Sequence, residues 1–436
     1  MSEAAKQRGP HEGTDYSMAV PTGYKMTDVG VIPEDWEPGR LRDYGKFKSG
    51  SGFPLVFQGR QVGDYPFFKV SDMNNEGNAL FMSTANHWIC EDTRRILGAT
   101  AFPAGSIVFA KIGAAIFLER KRMLSRDSCL DNNMMAYLLS DRDACTQFFH
   151  SLFLRIELGK LVSTTALPSL SGKELGAICV PVPPPLEQRA IAKALSDVDA
   201  VIGAIEALIA KKRAIKQAAM QQLLTGKTRL PGFGGEWVTK RLGDVIDKLV
   251  GGGTPSRGNP AFWGNEIPWA TVKDFATFNA RQTQESITKL GLDNSASHLI
   301  PAGTLITSTR MALGKAVVFD VDVAINQDLK AVFLRPDTNV IFLLYWFECH
   351  ERLIDDLGSG STVKGISIGQ LTGLPFPGLS LDEQTAIATV LSDVDLEIAA
   401  LERRREKTHA IKQGMMQQLL TGRVRLIPVD QRESNG

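Results

Sequence analysis

The chain has 436 residues, of which 43% are hydrophobic, and a formal net charge of +1 at pH 7. This length predicts two or three globular domains of about 150 residues each. The small net charge excludes a general basic field, so binding of nucleic acid would have to use local basic patches. Five scattered cysteines without a CxxC pair argue against a structural zinc site or a disulfide framework, and they fit a reducing cytoplasm.

Residues 1–29 are polar and lack periodicity, and we expect most of them to form a disordered leader. They contain no apolar core of a signal peptide. The longest apolar run, Ile341–Phe347, is too short to span a bilayer, which needs about 20 apolar residues. The sequence therefore predicts a cytoplasmic protein without a membrane span.

Two globular domains are predicted, at 30–182 and 230–378, because short segments of the first recur in the second. The paired segments are apolar or β-branched and are bounded by Gly, Pro, Asp and Asn, a pattern typical of strands and turns. Each globule is therefore expected to be a mixed α/β domain. The pairs are DWEPGRLRD with EWVTKRLGD, YPFFKVSDM with IPWATVKDF, FPAGSIVFAK with IPAGTLITST, and SLSGKEL with GISIGQL.

Each globule is followed by a long helical stretch, predicted at 183–229 and 379–426, with a tail at 427–436. Glu187–Leu230 and Glu383–Leu426 align without a gap, and about 27 of 44 positions are identical by direct count. Each helix should contain about 38 residues and measure about 57 Å. The helices match closely and the globules only loosely, which indicates that the helices share one task while the globules differ.

Apolar residues recur along both helices at steps of 4, 3, 4 and 3. This 3.5-residue repeat is typical of a coiled-coil seam, and a long helix with one apolar stripe needs a partner. We predict an α+β fold in which two mixed α/β domains are joined by two long helices that form an antiparallel coiled coil about a pseudo-twofold axis. The alternative is a duplication that only stabilises a core. The predicted seam residues are Ile191, Leu195, Val198, Ile202, Ile205, Ile387, Leu391, Val394, Ile398 and Leu401.

The segments that begin PPPLEQRAIAKALSDVD and LSLDEQTAIATVLSDVD and end in MQQLLTG resemble the two repeated segments of Type I restriction-modification specificity subunits. Leu249–Phe275 resembles the start of a target recognition domain of that family. The resemblance covers residues 30–426. The first globule departs from the pattern, because it has KSGSGFPLVFQG where the second has VGGGTPSRGNP.

The resemblance implies a non-catalytic subunit that recognises a bipartite, asymmetric site in double-stranded DNA, with one target recognition domain for each half-site. It implies that two methyltransferase subunits and the restriction or motor subunits dock on the chain. S-adenosylmethionine, ATP and magnesium would be carried by those partners, and the chain itself would hold no cofactor.

The residues themselves are consistent with a chain that has no catalytic or metal site. No G-x-x-x-x-G-K-[ST] phosphate loop is present, and neither is the Asn/Asp-Pro-Pro-aromatic motif of an amino-methyltransferase. The histidines are isolated. Asp72 and Asp274 occupy matched positions after a strand, where we expect them to cap a turn or to orient neighbouring bases, because one carboxylate per globule cannot form an acid–base pair.

Direct readout of DNA uses Arg, Lys, Asn and Gln at base edges and basic residues on phosphates. In the second globule the candidates lie on the glycine-rich loop, after a strand, and on the loop TSTRMALGK, and they are Thr254, Ser256, Arg257, Lys273, Arg310 and Lys315. In the first globule the candidates are three lysines and one basic cluster, namely Lys48, Lys69, Lys111, Arg120, Lys121 and Arg122.

Two rival interpretations stay open on the sequence. The main alternative is a coiled-coil scaffold whose globular domains bind other proteins. A fused methyltransferase or nuclease is the third, and the missing motifs disfavour it. Salt-dependent, sequence-specific DNA binding by the assembled complex would separate the first interpretation from the second.

Overall fold

A computed structural model describes residues 20–141, 143–162, 167–360 and 363–427. The chain divides into two compact units: the first comprises residues 1–203 and 406–436, and the second comprises residues 204–405. Each unit therefore contains one globule, the beginning of the long helix that follows it, and the end of the other long helix.

The first unit contains twelve strands among its described residues. They form sheets in the orders β4-β11-β8-β9-β6, β10-β5-β7, β12-β3 and β1-β2. The strands are β1 Tyr24–Thr27, β2 Gly30–Pro33, β3 Glu37–Arg40, β4 Gly45–Ser49, β5 Tyr65–Phe68, β6 Phe81–Met82, β7 Trp88–Ile89, β8 Ile107–Ala110, β9 Lys121–Leu124, β10 Cys129–Leu130, β11 Met134–Leu139 and β12 Cys179–Val182. The α-helices are α1 Leu41–Tyr44, α2 Glu91–Ile96, α3 Thr146–Arg155, α4 Gly172–Ala177 and the long α5 Pro185–Leu223, and the 3-10 turns are Leu55–Phe57, Val70–Asn74, Ala114–Leu118 and Leu158–Leu161.

The second unit contains ten strands among its described residues. They form sheets in the orders β14-β21-β18-β19, β16-β15-β20-β17 and β13-β22. The strands are β13 Val238–Arg241, β14 Ile246–Gly251, β15 Trp263–Ala270, β16 Glu285–Ile287, β17 Leu299–Ile300, β18 Leu305–Ser308, β19 Ala316–Val318, β20 Val323–Ile325, β21 Leu329–Leu334 and β22 Pro375–Gly378. The α-helices are α6 Lys289–Asp293, α7 Val340–Leu357, α8 Ile368–Thr372 and the long α9 Leu381–Leu419, and the 3-10 turns are Leu242–Val245, Pro260–Phe262 and Val272–Phe275.

The two globules share one topology, as the recurring segments predict. Strands β4-β11-β8-β9 correspond to β14-β21-β18-β19, and β10-β5-β7 corresponds to β20-β15-β16, with one parallel pair in each small sheet. The first unit adds the hairpin β1-β2 and the edge strand β6, and the second unit adds β17. The prediction of two repeated mixed α/β domains is confirmed.

Apolar strands and one amphipathic helix build each core. All four residues of β8 and of β18 are buried, as expected for strands that are covered on both faces. In the first unit α3 places Phe149 and Phe153 beside Tyr137 of β11, with the Tyr137 and Phe153 rings 5.0 Å apart. In the second unit α7 packs Phe342 and Trp346 in the same way.

The N-terminal prediction was wrong in part. Residues 24–29 of the expected leader belong to the hairpin β1-β2 and are ordered. Ile32 is buried, and the Tyr24 hydroxyl donates a hydrogen bond of 3.0 Å to the Gly422 carbonyl, so tertiary contacts order this polar stretch. Residues 1–19 and 428–436, which contain most of the predicted leader and most of the predicted tail, lie outside the described residues.

Both long helices contain 39 residues, close to the predicted length. The predicted seam positions are all buried or half-buried. At the beginning of α5, Ile191 and Leu195 belong to the core of the first globule, together with Leu419 and Leu420 from the end of α9. The beginning of α9 packs on the second globule in the same way, beside Met220 and its neighbours at the end of α5. The compact units thus cut across the linear domain limits that the sequence predicts.

A buried carboxylate anchors the first unit. Glu187, at the beginning of α5, is 2% exposed. Its carboxylate accepts hydrogen bonds from Arg425 Nε at 2.7 Å and from the indole of Trp36 at 3.0 Å. Arg425 also pairs with Asp35 at 2.8 Å, and its guanidinium lies 5.6 Å from the centre of the Trp36 ring. Arg425 belongs to TGRVRL, the ending of the second helical repeat, so the segment that follows α9 neutralises the beginning of α5.

The second unit repeats this arrangement, which we call the carboxylate clamp. Glu383, at the beginning of α9, is also 2% exposed. It accepts from Arg229 Nη2 at 2.7 Å and from the Trp237 indole at 3.2 Å. Carbonyl oxygens of Gly234 and Gly235 hold Arg229 where the first unit uses Asp35. A buried charge requires a partner and further hydrogen bonds, and both clamps supply them.

An ion pair between the two long helices is also repeated in both units. Lys412 binds Asp199 at 2.6 Å in the first unit, and its counterpart Lys216 binds Asp395 at 2.9 Å in the second. Within each unit these pairs and the clamp join the beginning of one long helix to the end of the other, so the two segments run antiparallel there.

The buried glutamines that follow the two clamp carboxylates bind the globules. Gln188 Oε1 accepts the Cys145 amide at 2.9 Å before α3, and Gln384 Oε1 accepts the Asn339 amide at 2.9 Å before α7. The repeated glycines are also structural: Gly422 has φ +69°, and a Cβ there would lie 2.4 Å from Pro33. These contacts explain why the dipeptides Glu-Gln and Thr-Gly are present in both repeats.

We predict that Arg425→Ala lowers the free energy of unfolding by about 3–5 kcal/mol, because it leaves the buried Glu187 carboxylate without its cation. Arg423→Ala is the matched control, two residues away: Arg423 is exposed and makes no ion pair in the part of the chain that the structure describes. It should change stability by less than about 0.5 kcal/mol. Urea denaturation of both variants measures the difference, and equal effects would contradict the clamp.

Candidate nucleic-acid interface

The predicted glycine loop of the second unit is fixed by close backbone contacts. The Gly253 amide donates to the Ile325 carbonyl at 3.0 Å, and the Gly253 carbonyl accepts from the Trp269 indole at 3.1 Å. A Cβ on Gly252 would lie 1.8 Å from the Ile325 carbonyl oxygen, so only glycine fits there. The loop between β14 and β15 is therefore fixed at Gly252 and Gly253. Thr254, Ser256 and Arg257 follow at the surface.

Arg257 is held in a defined position. Its guanidinium lies 3.7 Å from the centre of the Trp263 ring, and it forms a two-pronged ion pair with Glu285, with an Nη2–Oε2 distance of 2.9 Å. The hydrogen bond from Arg257 lowers the pKa of Glu285 below its ordinary value. Stacking and pairing orient this exposed guanidinium, but Glu285 compensates its charge.

The predicted loop TSTRMALGK has an unusual backbone. Met311 and Ala312 have φ values of 58° and 34°, in the left-handed region that non-glycine residues avoid. The Met311 amide donates to the Lys364 carbonyl at 2.9 Å. Arg310, just before this bend, is exposed and lies 3.4 Å from Asp328 Oδ1. The loop therefore presents Arg310 at a fixed place beside the turn that precedes β21.

The remaining candidates of the second unit are exposed. Thr254 donates from its hydroxyl to Gln327 Oε1 at 2.6 Å. Lys315 lies 3.9 Å from Glu351, a loose surface pair. Ser256 and Lys273 are exposed, and their side chains bind no other described residue. Asp274, in contrast, is buried and accepts backbone amides of Thr271 and Gln284, so it organises a turn as predicted.

In the first unit the lysine candidates differ in their surroundings. Lys48 is exposed on β4. Lys69 is half-buried, with Nζ 3.2 Å from Gln58 Oε1. Lys111 is half-buried at the end of β8, and its amide donates to the Asn133 carbonyl at 2.7 Å. Asp72 is buried and accepts the amides of Lys69 and Asn86, as Asp274 does in the second unit.

The basic cluster of the first unit is largely structural. Lys121 is 2% exposed, and its ammonium donates to Glu119 and, at 2.7 Å, to the Ile156 carbonyl. Arg122 is half-buried and donates to the Asn78 carbonyl at 2.8 Å. Arg120 donates to Asn74 Oδ1 near the surface. A run of basic residues in the sequence does not show whether all of its side chains lie at the surface. Here β9 points Lys121 inward.

No group of three or more His, Cys, Asp and Glu side chains is arranged to hold a metal ion within the described ranges. Among these residues no helix is long and apolar enough to cross a membrane.

The family model for the Type I restriction modification DNA specificity domain matches residues 33–217 and 234–410. The chain belongs to this family. The two matches coincide with the two repeats, which confirms the resemblance drawn from the helical segments. A DNA-recognition role is thereby supported, and the scaffold alternative is not favoured.

Individual proteins of the family are similar over nearly the whole chain. The Type I restriction enzyme MjaVIII specificity subunit of Methanocaldococcus jannaschii is 23% identical over 426 residues, which cover 91% of this chain and 94% of that protein. The S subunit of a Type I restriction-modification system from M. genitalium has a TM-score of 0.56 at 14% identity, covering 91% of this chain and 98% of that one. A chain from a structure of complex assembly and conformational transition in the type I R-M system has a TM-score of 0.57 at 20% identity, covering 90% and 99%. At these identities the solved structures show the shared fold alone.

The structural role of the cluster around Lys121 can be tested through His150. Its Nε2 lies 3.1 Å from the Lys121 carbonyl, and burial lowers the pKa of His150 to about 4. The unfolded chain binds this proton near pH 6.5 and the folded chain does not, so stability falls as the pH drops from 6.5 towards 4.

We predict that going from pH 7 to pH 5 costs about 2 kcal/mol through His150 alone. His150→Gln should remove that part of the pH dependence, and the exposed His409→Gln should leave it unchanged. Urea midpoints at both pH values measure this. If His150→Gln has the same pH dependence of stability as the unsubstituted chain, the His150 imidazole is open to solvent and the prediction is wrong.

Proposed function

We propose that this chain is the DNA sequence-specificity subunit of a Type I restriction-modification complex and that it recognises a bipartite, asymmetric DNA site. The proposal depends on one observation: the two globules share one topology, but their exposed loops differ. Arg257 and Arg310 in the second unit have no basic counterpart in the first, whereas Lys315 before β19 and Arg120 before β9 occupy matched positions. Two globules that differ at the surface suit two different half-sites.

The proposed DNA contacts are the candidates whose side chains are exposed or half-buried and do not donate to backbone carbonyls. In the second unit they are the six exposed candidates, Thr254, Ser256, Arg257, Lys273, Arg310 and Lys315. In the first unit they are Lys48, Lys69, Lys111 and Arg120. Lys121 and Arg122 are left out, because both donate inward to backbone carbonyls. Phosphate contacts from these side chains would give a binding constant that falls steeply with salt.

The two long helices are proposed to pair as an antiparallel coiled coil. Support comes from inside each unit, where Lys412 binds Asp199 and Lys216 binds Asp395, and where the clamps join helix beginnings to helix ends. The repetition offers two equivalent helical surfaces, which suit two methyltransferase subunits, and the restriction or motor subunits would join the same complex.

No chemistry is assigned to the chain itself. Methyl transfer from S-adenosylmethionine and ATP- and magnesium-dependent cleavage would belong to the partner subunits. The protein would therefore act by choosing the DNA sequence on which its partners work.

The test is replacement of one globule. We predict that exchanging residues 251–362 for the equivalent region of a relative with a different target changes one half-site of the methylated motif and leaves the other half-site unchanged. Exchange of residues 50–164 should change the other half-site alone. Methylation-motif sequencing of hosts that express each chimera measures this. A chimera that alters both half-sites would contradict the assignment of one globule to one half-site, and assembly without any sequence preference would favour the scaffold alternative.

A further inference from the structure

Each unit contains a three-residue turn that links its small sheet to its large sheet. In the first unit the turn is Asp131–Asn133, between β10 and β11, and in the second it is Asn326–Asp328, between β20 and β21. We call them the first and second inter-sheet turns. Neither was identified from the sequence, because DNN and NQD share no identical position.

The backbone of both inter-sheet turns is held by the same hydrogen bonds. The first residue donates its amide to the strand beside it, from Asp131 to Phe68 at 2.9 Å and from Asn326 to Ala270 at 3.1 Å. The third residue accepts an amide from the end of a large-sheet strand. This bond joins Lys111 to Asn133 at 2.7 Å and Thr309 to Asp328 at 3.0 Å.

The outer side chains of the two turns exchange roles. In the first turn Asp131 accepts the Asn133 amide at 3.1 Å and its carboxamide at 3.3 Å. In the second turn Asn326 accepts the Asp328 amide at 3.2 Å and donates its carboxamide to Asp328 at 3.2 Å. The acid and the amide have changed places while the turn is preserved. The outer positions are thus explained by the fold.

The middle position is not explained by the fold. Asn132 and Gln327 are both exposed. The Asn132 side chain makes no hydrogen bond to the residues that the structure describes, so the turn would form equally well without its carboxamide. Both units nevertheless place a carboxamide there, at the tip of a turn whose backbone is fixed on both sides.

Each inter-sheet turn begins beside the loop that follows the first strand of the large sheet. A Cβ on Gly50 would lie 2.0 Å from the carbonyl oxygen of Asp131, the first residue of its turn, and a Cβ on Gly252 would lie 1.8 Å from the carbonyl oxygen of Ile325, the residue before the second turn. In the second unit this loop carries the glycine-rich segment proposed to face DNA. The turn tips therefore belong to the same surface as the proposed DNA contacts.

In the second unit the surroundings of Gln327 orient it for recognition. The Thr254 hydroxyl donates to Oε1 at 2.6 Å, which fixes the plane of the carboxamide and leaves its two N–H donors and one acceptor site available. Cations flank the turn: Lys330 Nζ lies 3.4 Å from the Gln327 carbonyl, and Arg310 lies 3.4 Å from Asp328. This combines an oriented donor–acceptor pair with positive charge suited to phosphates.

We infer that Asn132 and Gln327 are specificity-determining residues, each of which contacts a base edge in the half-site of its own unit. The inference rests on the proposed function. A carboxamide donates and accepts side by side, which matches N7 and N6 of adenine in the major groove. The base pair contacted by each residue is therefore expected to be A·T.

The test uses the assembled complex of this chain with its methyltransferase subunits, with Asn132→Leu and Gln327→Leu made separately. Leucine keeps a similar volume and removes both hydrogen-bonding groups. Each variant should make one A·T position of one half-site degenerate, with discrimination reduced about 5-fold to about 150-fold. The other half-site of the same motif is the internal control, and it should stay unchanged.

Asn132→Asp and Gln327→Glu provide a second, nearly isosteric pair that preserves the shape of the turn. A carboxylate accepts from cytosine N4 but cannot donate to adenine N7, so preference at the same position should shift from A towards C. If a leucine variant fails to fold, the Asp and Glu variants still test the inference.

The outcomes are distinguishable. A wild-type motif in all four variants would overturn the inference and leave the proposed function standing. A uniform loss of methylation on every sequence, without a change at one position, would also overturn it, because that pattern belongs to phosphate binding or folding. If the unsubstituted complex shows no bipartite motif, the proposed function fails, and this inference fails with it.

Discussion

The fold depends on two buried carboxylates, Glu187 and Glu383, that the helix carrying each of them does not neutralise. A buried unpaired charge would destabilise the folded state by several kcal/mol. The missing cation comes from the end of the other long helix, as Arg425 for Glu187 and as Arg229 for Glu383. Neither compact unit is therefore complete from one continuous stretch of chain. This explains two of the positions that the helical segments share, because each segment must supply both a carboxylate at its beginning and an arginine after its end.

The same constraint separates what is fixed from what can vary. The clamps and the Lys–Asp pairs join the beginning of each long helix to the end of the other, and the buried glutamines tie each globule to the helix that follows it, at positions shared by both repeats. The loops beyond β4 and β14 contribute to none of these bonds. They can change sequence without weakening the joint, and the contrast between the first globule and the Arg257–Glu285–Trp263 arrangement of the second illustrates this freedom. A protein that changes its DNA target while it keeps its partners requires such a division.

Much of this architecture could be predicted from the sequence, because apolar periodicity and internal repetition report burial directly. The lengths of the long helices, the two mixed α/β globules and the turn-forming role of Asp72 and Asp274 follow from such patterns. Three features do not. The burial of Lys121 depends on which face of β9 meets α3, and the hairpin over residues 24–33 depends on a contact with Gly422, nearly 400 residues away. The inter-sheet turns escape detection because Asp131–Asn133 and Asn326–Asp328 exchange acid and amide, so equivalent positions hold different residues.

The central claim is that one chain carries two independent readers of DNA sequence. The most direct measurement is the affinity of the complex with methyltransferase subunits for duplexes that contain the methylated motif intact, with either half-site scrambled, or with both scrambled, at a fixed salt concentration. The account predicts that scrambling either half-site alone weakens binding by at least about 1,000-fold, approaching the level of non-specific DNA. Equal affinity for all four duplexes, or sensitivity to only one half-site, would contradict it.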